Sequence, residues 1–197
     1  MRTLILIIFT IILFPKLSFT QSNELRNKIL WDENRPLVWK DFKGPANNKS
    51  SYNAETTSGI SIKAEQLSQN EIRVNIATYF DPKKSWKQKK SISDNLLRHE
   101  QNHFDISEVY SRLLIKKLSG LEMNSLKTIS NIIKKEYLQT NKEVKNISQE
   151  YDKETNHGKN KEQQEIWNNK VENLLSETKD FDLDSFTIIL IPTKSTK

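Results

Sequence analysis

The sequence contains no cysteine, four glycines, five prolines and only three histidines among its 197 residues. The lack of cysteine excludes disulfide bonds, thiolate metal ligands and lipid attachment through a lipobox cysteine. A chain without disulfides depends on its apolar core, and a bound metal is the remaining kind of internal cross-link. Because imidazole is the commonest metal ligand among side chains, the positions of so few histidines are informative.

The apolar run at residues 4–14 is shorter than the roughly 20 residues that a transmembrane helix needs. It follows Arg2 and precedes a more polar segment, which is typical of a secretory signal peptide. We therefore expect residues 1–20 to be a signal peptide and residues 21–197 to form one domain. The protein would be exported to the periplasm or the extracellular space. An uncleaved membrane anchor is the alternative.

Lysine and arginine outnumber aspartate and glutamate by 31 to 25, which gives a formal net charge of +6. Most of this excess is scattered along the chain. A cluster around Trp86 consists of Lys83, Lys84, Lys87, Lys89 and Lys90. A solvated loop explains the cluster better than a nucleic-acid site does. We expect no nucleic-acid partner, and no membrane contact once the signal peptide has been removed.

The first half of the mature chain shows the period-two pattern of β-strands. Apolar and polar residues alternate over residues 60–64 and 72–80, and the polar segment 68–71 separates the two runs. This pattern predicts a β-hairpin with one buried face, ending at Pro82 because proline cannot continue a strand ladder. Short strands are also expected at residues 37–39 and 186–192.

Beyond residue 90 the apolar residues recur at spacings of three and four, which predicts helices. The first helix follows a capping-box pattern formed by Ser91 and Asp94 and ends at Gly120. Two further helices are expected at residues 125–148 and 162–178. A small antiparallel sheet followed by an active-site helix and further helices is an α+β fold.

The first predicted helix carries His99, Glu100 and His103 in the pattern H-E-x-x-H. Two histidines four residues apart lie on one face of a helix, so both can reach a single metal ion. Glu100 projects beside them, where it can take a proton from metal-activated water. The pattern predicts a zinc hydrolase with Glu100 as general base. The alternative is a helix with two half-buried histidines and a glutamate paired to a neighbour.

The order of hairpin, loop and active-site helix is that of zincin peptidases, in which an edge strand above the helix aligns the substrate backbone. In this chain we expect residues 72–80 to be that strand. A zincin-like fold is therefore the predicted architecture.

A catalytic zinc needs a third protein ligand and one open position. The metzincin pattern fails, because Ile106 and Val109 stand where it requires glycine and histidine. We favour His157, in a turn-rich segment, since imidazole suits zinc. The carboxylates that remain as alternatives are Glu122, Glu136, Asp105 and Asp152. Structural zinc sites are usually closed by four ligands, often cysteines, so this composition favours an open catalytic site.

Three segments are notable together: RPLVWKDFKG at residues 35–44, HEQNHFDISE at 99–108 and YDKETNHG at 151–158. With them, nearly all of the mature chain resembles a family of exported bacterial proteins of unknown function that are predicted to be zinc-dependent proteases. The resemblance implies a zincin-like fold and a zinc site at His99 and His103, with Glu100 as base. It also implies that residues 151–158 matter for function.

Residues around the site can be assigned roles from chemistry. A metal-ligating histidine usually donates its second ring N–H to a carboxylate or carbonyl, and Asp105, Glu108 and Asp152 are candidates. Tyr151 can donate a hydrogen bond to the oxyanion of a tetrahedral intermediate, or it can simply pack at a helix end. We expect Phe104, Tyr110 and the four tryptophans to be packing residues, with Trp86 alternatively lining a substrate groove.

The sequence thus predicts an exported zinc metallopeptidase acting on a peptide or protein substrate. Zn2+ would be held by His99, His103 and His157, with Glu100 and Tyr151 as catalytic residues. One alternative is a zinc-dependent hydrolase of a non-protein amide such as cell-wall material. Another is a non-catalytic envelope protein whose helices bind a partner.

Overall fold

The computed structural model describes residues 25–47, 49–89, 92–121 and 125–191. The predicted signal peptide, Ser91 and Glu122 lie outside these residues. In chain order the strands are β1 (Ile29–Leu30), β2 (Ala54–Glu55), β3 (Ser58–Gln66), β4 (Glu71–Phe80), β5 (Trp86–Lys87) and β6 (Ser185–Ile189). The helices are α1 (Asp94–Ser119), α2 (Leu126–Thr155) and α3 (Lys161–Glu177), with 3-10 turns at Trp39–Asp41 and Lys179–Phe181. The predicted α+β class is confirmed.

The larger sheet is built around β4, and all of its pairings are antiparallel. β3 pairs with β4 over its whole length, as the predicted hairpin requires, while β1 and β6 share the other side of β4. β4 is therefore the interior strand, and the prediction that residues 72–80 form an edge strand is wrong. Within the described residues β3 forms one edge of this sheet, and β1 and β6 form the other, because β4 is the one strand partner of each. β2 and β5 form a separate two-stranded sheet.

The strand predicted at residues 37–39 is also wrong: Val38 has an extended backbone, but these residues belong to none of the described strands, and a 3-10 turn begins at Trp39. Asp41 accepts a hydrogen bond from the Val38 backbone N–H at 3.0 Å and binds Arg35 through both carboxylate oxygens, at 2.9 and 3.2 Å. This local side-chain bonding competes with a strand ladder and favours the 3-10 turn.

α1 begins after Ser93, whose hydroxyl accepts the Leu96 N–H at 3.2 Å. A serine at the N-cap position satisfies one of the free N–H groups of the first turn. α2 continues to Thr155, well beyond the predicted end at residue 148. The indole N–H of Trp167 on α3 donates to Glu154 at 2.7 Å, so contacts with α3 stabilise these last turns. α3 agrees with its predicted bounds to within one residue.

α1 packs against the sheet and against both α2 and α3. Its C-terminal half packs into the main core, which contains Ile60, Ile72, Val74, Ile76, Leu114, Ile115, Leu118, Ile129 and Ile133. Burying each such side chain contributes roughly 1.5–3 kcal/mol. Phe104 packs on Phe80 of the sheet in a second cluster, and Trp167 joins Ile106 and Tyr151 in a third. This central position explains why polar side chains in the N-terminal half of α1 are buried.

None of the described helices has the length and apolar character needed to cross a membrane.

Candidate metal centre

The three histidines of the chain converge on a single carboxylate oxygen. Asp152 Oδ1 lies 3.1 Å from His99 Nε2, 3.0 Å from His103 Nε2 and 3.3 Å from His157 Nδ1. Donor atoms of His99, Asp152 and His157 all lie within 4.8 Å of one another, so this group could hold a metal ion. The structure thus brings the three predicted ligands together and adds Asp152, which the sequence left as one carboxylate among several.

α1 supplies two of these ligands from one face. The imidazoles of His99 and His103 are one helical turn apart, with centroids 4.9 Å apart and planes nearly perpendicular. The hydroxyl of Thr56, just before β3, donates to the Glu100 carbonyl at 3.1 Å, and that of Ser58 on β3 donates to the His103 carbonyl at 3.4 Å. The start of the edge strand is therefore fixed directly above the pair.

His157 reaches the cluster through a left-handed turn at the end of α2. Asn156, His157 and Gly158 have φ angles of 48°, 54° and 74°. Such values are uncommon for residues that carry a side chain, and they persist where the surroundings enforce them, often at functional sites. The turn is held by the His157 N–H, which donates to the Asp152 carbonyl at 2.9 Å, and by the Asn95 side chain, which donates to the Gly158 carbonyl at 2.6 Å.

Gln164 on α3 fixes the orientation of the His99 ring. His99 Nδ1 lies 3.0 Å from Gln164 Oε1, while Gln164 Nε2 donates to the Tyr151 hydroxyl at 2.7 Å and to Asn168 Oδ1 at 2.9 Å. Because the amide nitrogen is engaged there, the amide oxygen accepts the Nδ1–H of His99. Nε2 is then the ring nitrogen that faces the cluster, the arrangement that metal-ligating histidines usually have.

Sequence reasoning missed Gln164 entirely. The sequence did contain a signal for it, because Gln164 lies at helical spacing from the apolar residues Trp167 and Val171. In the structure all three side chains are buried. Such a residue in a core position needs hydrogen-bond partners, and here the partner is a ligand residue.

The structure places Tyr151 behind His99 and away from the solvent-facing part of the site. Its side chain is fully buried, its ring stacks on the His99 ring with centroids 4.5 Å apart, and its hydroxyl donates to the His99 carbonyl at 3.3 Å. Burial also raises the pKa of this hydroxyl. The hydroxyl is already hydrogen-bonded within the protein, so this geometry favours the packing alternative, while the oxyanion role stays a prediction.

The cluster forms the floor of a cleft of about 620 Å3. One wall is made by residues 52–60 and the other by α2, from Asn141 to Asp152. Glu100 also lines the cleft although it is only 3% exposed, and its Oε2 has no hydrogen-bond partner among the described residues. Burial raises the pKa of Glu100 to about 7, against the opposing effect of His99. A carboxylate with this pKa can both accept and return a proton near neutral pH.

Charge is distributed in the cluster so that Asp152 stays ionised. Burial alone would raise the pKa of Asp152, but hydrogen bonds and charge from His103 and His99 outweigh it and hold the pKa far below its usual range. Burial lowers the pKa of His157, partly offset by Asp152. An ionised carboxylate is the state that metal ligation requires.

The other carboxylates considered from the sequence lie elsewhere. Asp105 accepts hydrogen bonds from Trp31 and Gln101, both at 2.8 Å, and Glu108 binds Arg112 at 2.7 Å. Glu136 forms an ion pair with Lys117. Trp86 is buried, and its N–H donates to Glu55, a cleft residue, at 2.9 Å.

Fold and site together define an α+β protein with a candidate metal centre of His99, Asp152 and His157 at the floor of a cleft, with His103 in contact with the same aspartate. The chain belongs to the family described as bacterial protein of unknown function (DUF922), whose model matches residues 41–158. This confirms the predicted resemblance to a bacterial family of unknown function. The match includes every residue of the cluster and ends before α3, which contributes Gln164. No curated protein and no solved structure matches the chain.

Proposed function

We propose that the protein is a zinc-dependent peptide hydrolase with a zincin-like site. His99, His103 and His157 would bind Zn2+, and Glu100 would be the general base. The observation that carries the proposal is the convergence of three imidazole nitrogens within 3.3 Å of Asp152 Oδ1, beside the buried Glu100, whose Oε2 has no hydrogen-bond partner among the described residues.

The residues present suit zinc. Zinc prefers imidazole and carboxylate ligands in sites without thiolates, and the ionised Asp152 would balance part of the charge of the cation. The Gln164 hydrogen bond prepares Nε2 of His99 for coordination. Bound zinc would supply Lewis-acid chemistry, polarising a carbonyl and acidifying water.

Glu100 performs the proton transfers in this proposal. It takes a proton from the attacking water and later gives it to the departing amine, so it must change protonation state twice in each cycle. A pKa of about 7 makes both transfers accessible near neutral pH. The low exposure of its side chain limits competition from bulk water.

The edge strand supports a peptide as substrate. Tyr137 on α2 donates to the Ile60 carbonyl at 3.1 Å, which shows that the backbone groups of Ile60 point away from β4. Since orientation alternates along a strand, Ser58 also presents its N–H and C=O to the cleft side. Because the Ile60 carbonyl is already bonded to Tyr137, an extended peptide would hydrogen-bond to the strand at Ser58, whose hydroxyl contacts the His103 carbonyl.

A closed structural zinc site is the second candidate, because Asp152 contacts all three histidines. Four protein ligands would complete a tetrahedral zinc site and leave no position for a substrate. The protein would then be a non-catalytic envelope protein, and Glu100 would have no role in proton transfer.

Metal analysis combined with a Glu100 variant tests both candidates. We expect the purified mature protein to bind about one zinc per chain, since one cluster is present, and the His99→Ala variant to lose it. Glu100→Gln should keep zinc and fold but lose hydrolysis of a peptide library by about 100-fold or more. Glu172→Gln, an exposed change on α3, is the matched control. Chelation should abolish activity, and added zinc should restore it.

Two outcomes would contradict the catalytic proposal. If Glu100→Gln cleaves peptides as fast as the wild type, Glu100 is not the base. If zinc binds tightly and no amide is hydrolysed by the wild type, the site is structural. Hydrolysis of cell-wall amides but not of peptides would identify a different substrate for the same chemistry.

A further inference from the structure

Two segments next to β5 form what we term the lysine patch. It consists of Lys40, Lys43, Lys49, Lys83, Lys84, Lys87 and Lys89. Six of these side chains are exposed and Lys87 is half-buried. Residues 40–49 and 83–89 contain a single acidic residue, Asp41. The positive charge of these seven lysines exceeds the formal net charge of the entire chain, which is +6.

Backbone contacts bring the two segments together. The Lys43 N–H donates to the Pro82 carbonyl at 2.9 Å, and the Gly44 N–H donates to the Ser85 carbonyl at 2.8 Å. A Cβ at position 44 would lie 2.8 Å from the Lys83 carbonyl oxygen, so glycine permits this close approach. The lysines are therefore neighbours on one surface, although about 40 residues separate them in sequence.

Nearby acidic residues do not neutralise the patch. Asp41 is buried and bound to Arg35, and Asp81 is buried and paired with Lys28. Glu55 accepts the indole N–H of Trp86. Within the described part of the chain, none of the seven lysines forms an ion pair with a carboxylate.

The patch is continuous with a wall of the cleft. β5 pairs with β2, with Lys87 opposite Ala54 and Trp86 opposite Glu55. Ala54 and Glu55 both line the cleft. Adjacent strands lie about 4.8 Å apart, so the lysine patch begins one strand away from the cleft. A chain leaving the cleft across β2 would meet the lysines at once.

We infer that the lysine patch is a docking site for an acidic segment of a protein substrate whose reacting bond lies in the cleft. The inference rests on the proposed function. The exposed ammonium groups of the patch, which have no acidic partners among the described residues, are complementary in charge to the carboxylates of such a segment. Binding of single-stranded nucleic acid commonly uses exposed rings for stacking, but Trp86 is 5% exposed and Lys87 lies over Trp39.

Binding of an acidic peptide tests the docking site separately from catalysis. The probe is a fluorescent oligoglutamate of about ten residues, titrated against the zinc-loaded Glu100→Gln protein and followed by anisotropy. We expect the double variant Lys83→Gln/Lys84→Gln to weaken binding about tenfold, and added salt to weaken wild-type binding as well. Lys134→Gln/Lys135→Gln removes the same charge from an exposed part of α2 and should change affinity less than about twofold.

A kinetic arm tests whether the docked segment belongs to the substrate. With wild-type protein, a cleavable peptide carrying an acidic extension should have a lower KM than its neutral counterpart. Lys83→Gln/Lys84→Gln should raise that KM and leave kcat unchanged, because the patch does not touch the reacting atoms.

The results separate this inference from the proposed function. Any of three outcomes would overturn the docking site. The two double variants could weaken binding equally, or a neutral peptide could bind as tightly as oligoglutamate. The protein could also bind anionic lipid vesicles or duplex DNA without binding oligoglutamate. If oligoglutamate binds to the lysine patch but the protein hydrolyses no peptide, the proposed function is contradicted. The patch would then still be a binding site for acidic polypeptides.

Discussion

Gly158 packs directly against the imidazole of His99. A Cβ at position 158 would lie 3.1 Å from both Cβ and Cγ of His99, closer than side chains normally approach. The backbone at Gly158 also has a φ of 74°, which residues with a side chain rarely adopt. One glycine therefore allows the loop that carries His157 to approach the helix that carries His99.

Gly158→Ala should disturb the cluster for both reasons. We expect a loss of about 1–3 kcal/mol in the free energy of unfolding from backbone strain, and a fall in zinc affinity of tenfold or more, measured by competition with a chelator. Gly120→Ala is the control, since its Cβ would meet only the Lys116 carbonyl, at 3.6 Å, and its φ is −86°. Wild-type zinc affinity in Gly158→Ala would show that the close approach is unimportant.

Gln164→Leu should weaken metal binding without removing a ligand. It leaves His99 Nδ1 without its acceptor, and loss of such a partner typically costs 10- to 100-fold in metal affinity. In 15N spectra of the metal-free protein, the Nδ1 resonance of His99 should shift, because Nδ1 loses its hydrogen-bond partner. Gln164→Glu, which keeps an acceptor, should restore the wild-type resonance at least partly. Gln163→Leu is the control on the same helix, and if it has an equal effect the specific role of Gln164 is refuted.

Tyr151→Phe should affect stability more than catalysis. The hydroxyl makes buried hydrogen bonds to the His99 carbonyl and Gln164, so its loss should cost roughly 1–3 kcal/mol in urea unfolding. The kcat per folded molecule should stay within about threefold, whereas removal of an oxyanion donor typically costs 100- to 1,000-fold. Tyr52 lines the cleft, with its ring centroid 3.9 Å from that of His157, so Tyr52→Phe is the informative comparison. A large fall in the kcat of Tyr151→Phe would instead support the predicted role of the Tyr151 hydroxyl as an oxyanion donor.

Asp105 should make the protein less stable as pH rises. Burial raises its pKa, although hydrogen bonds from Trp31 and Gln101 oppose the shift. The folded state therefore keeps the proton to a higher pH than the unfolded state does, so folding is most favoured below the unfolded pKa of about 3.9. Stability is then lost between that value and the raised folded pKa.

Asp105→Asn removes this titration and keeps an oxygen that can accept both hydrogen bonds. The free energy of unfolding should therefore depend less steeply on pH above about 4 in the variant than in the wild type, measured in urea across a pH series. Asp180→Asn, an exposed change, should leave the pH profile unaltered. Parallel profiles for Asp105→Asn and the wild type would contradict the raised pKa.

The local spacing of apolar residues was sufficient to predict most of the secondary structure. Alternation over β3 and β4 predicted the hairpin, because side-chain direction in a strand depends only on neighbouring residues. The same reasoning failed at residues 37–39, where the Asp41 carboxylate binds Arg35 and the Val38 N–H and turns the chain. It also ended α2 too early, since contacts with α3 stabilise the helix beyond residue 148.

The sequence by itself determined the pair His99 and His103 with Glu100 beside them, because one turn of helix sets their relative positions. Tertiary structure decided the rest of the cluster. Asp152 enters it only because α2 continues past its predicted end, and His157 only because a left-handed turn folds back over α1. Gln164 arrives from α3 by packing between helices, and no local pattern encodes distances between segments 50 or more residues apart.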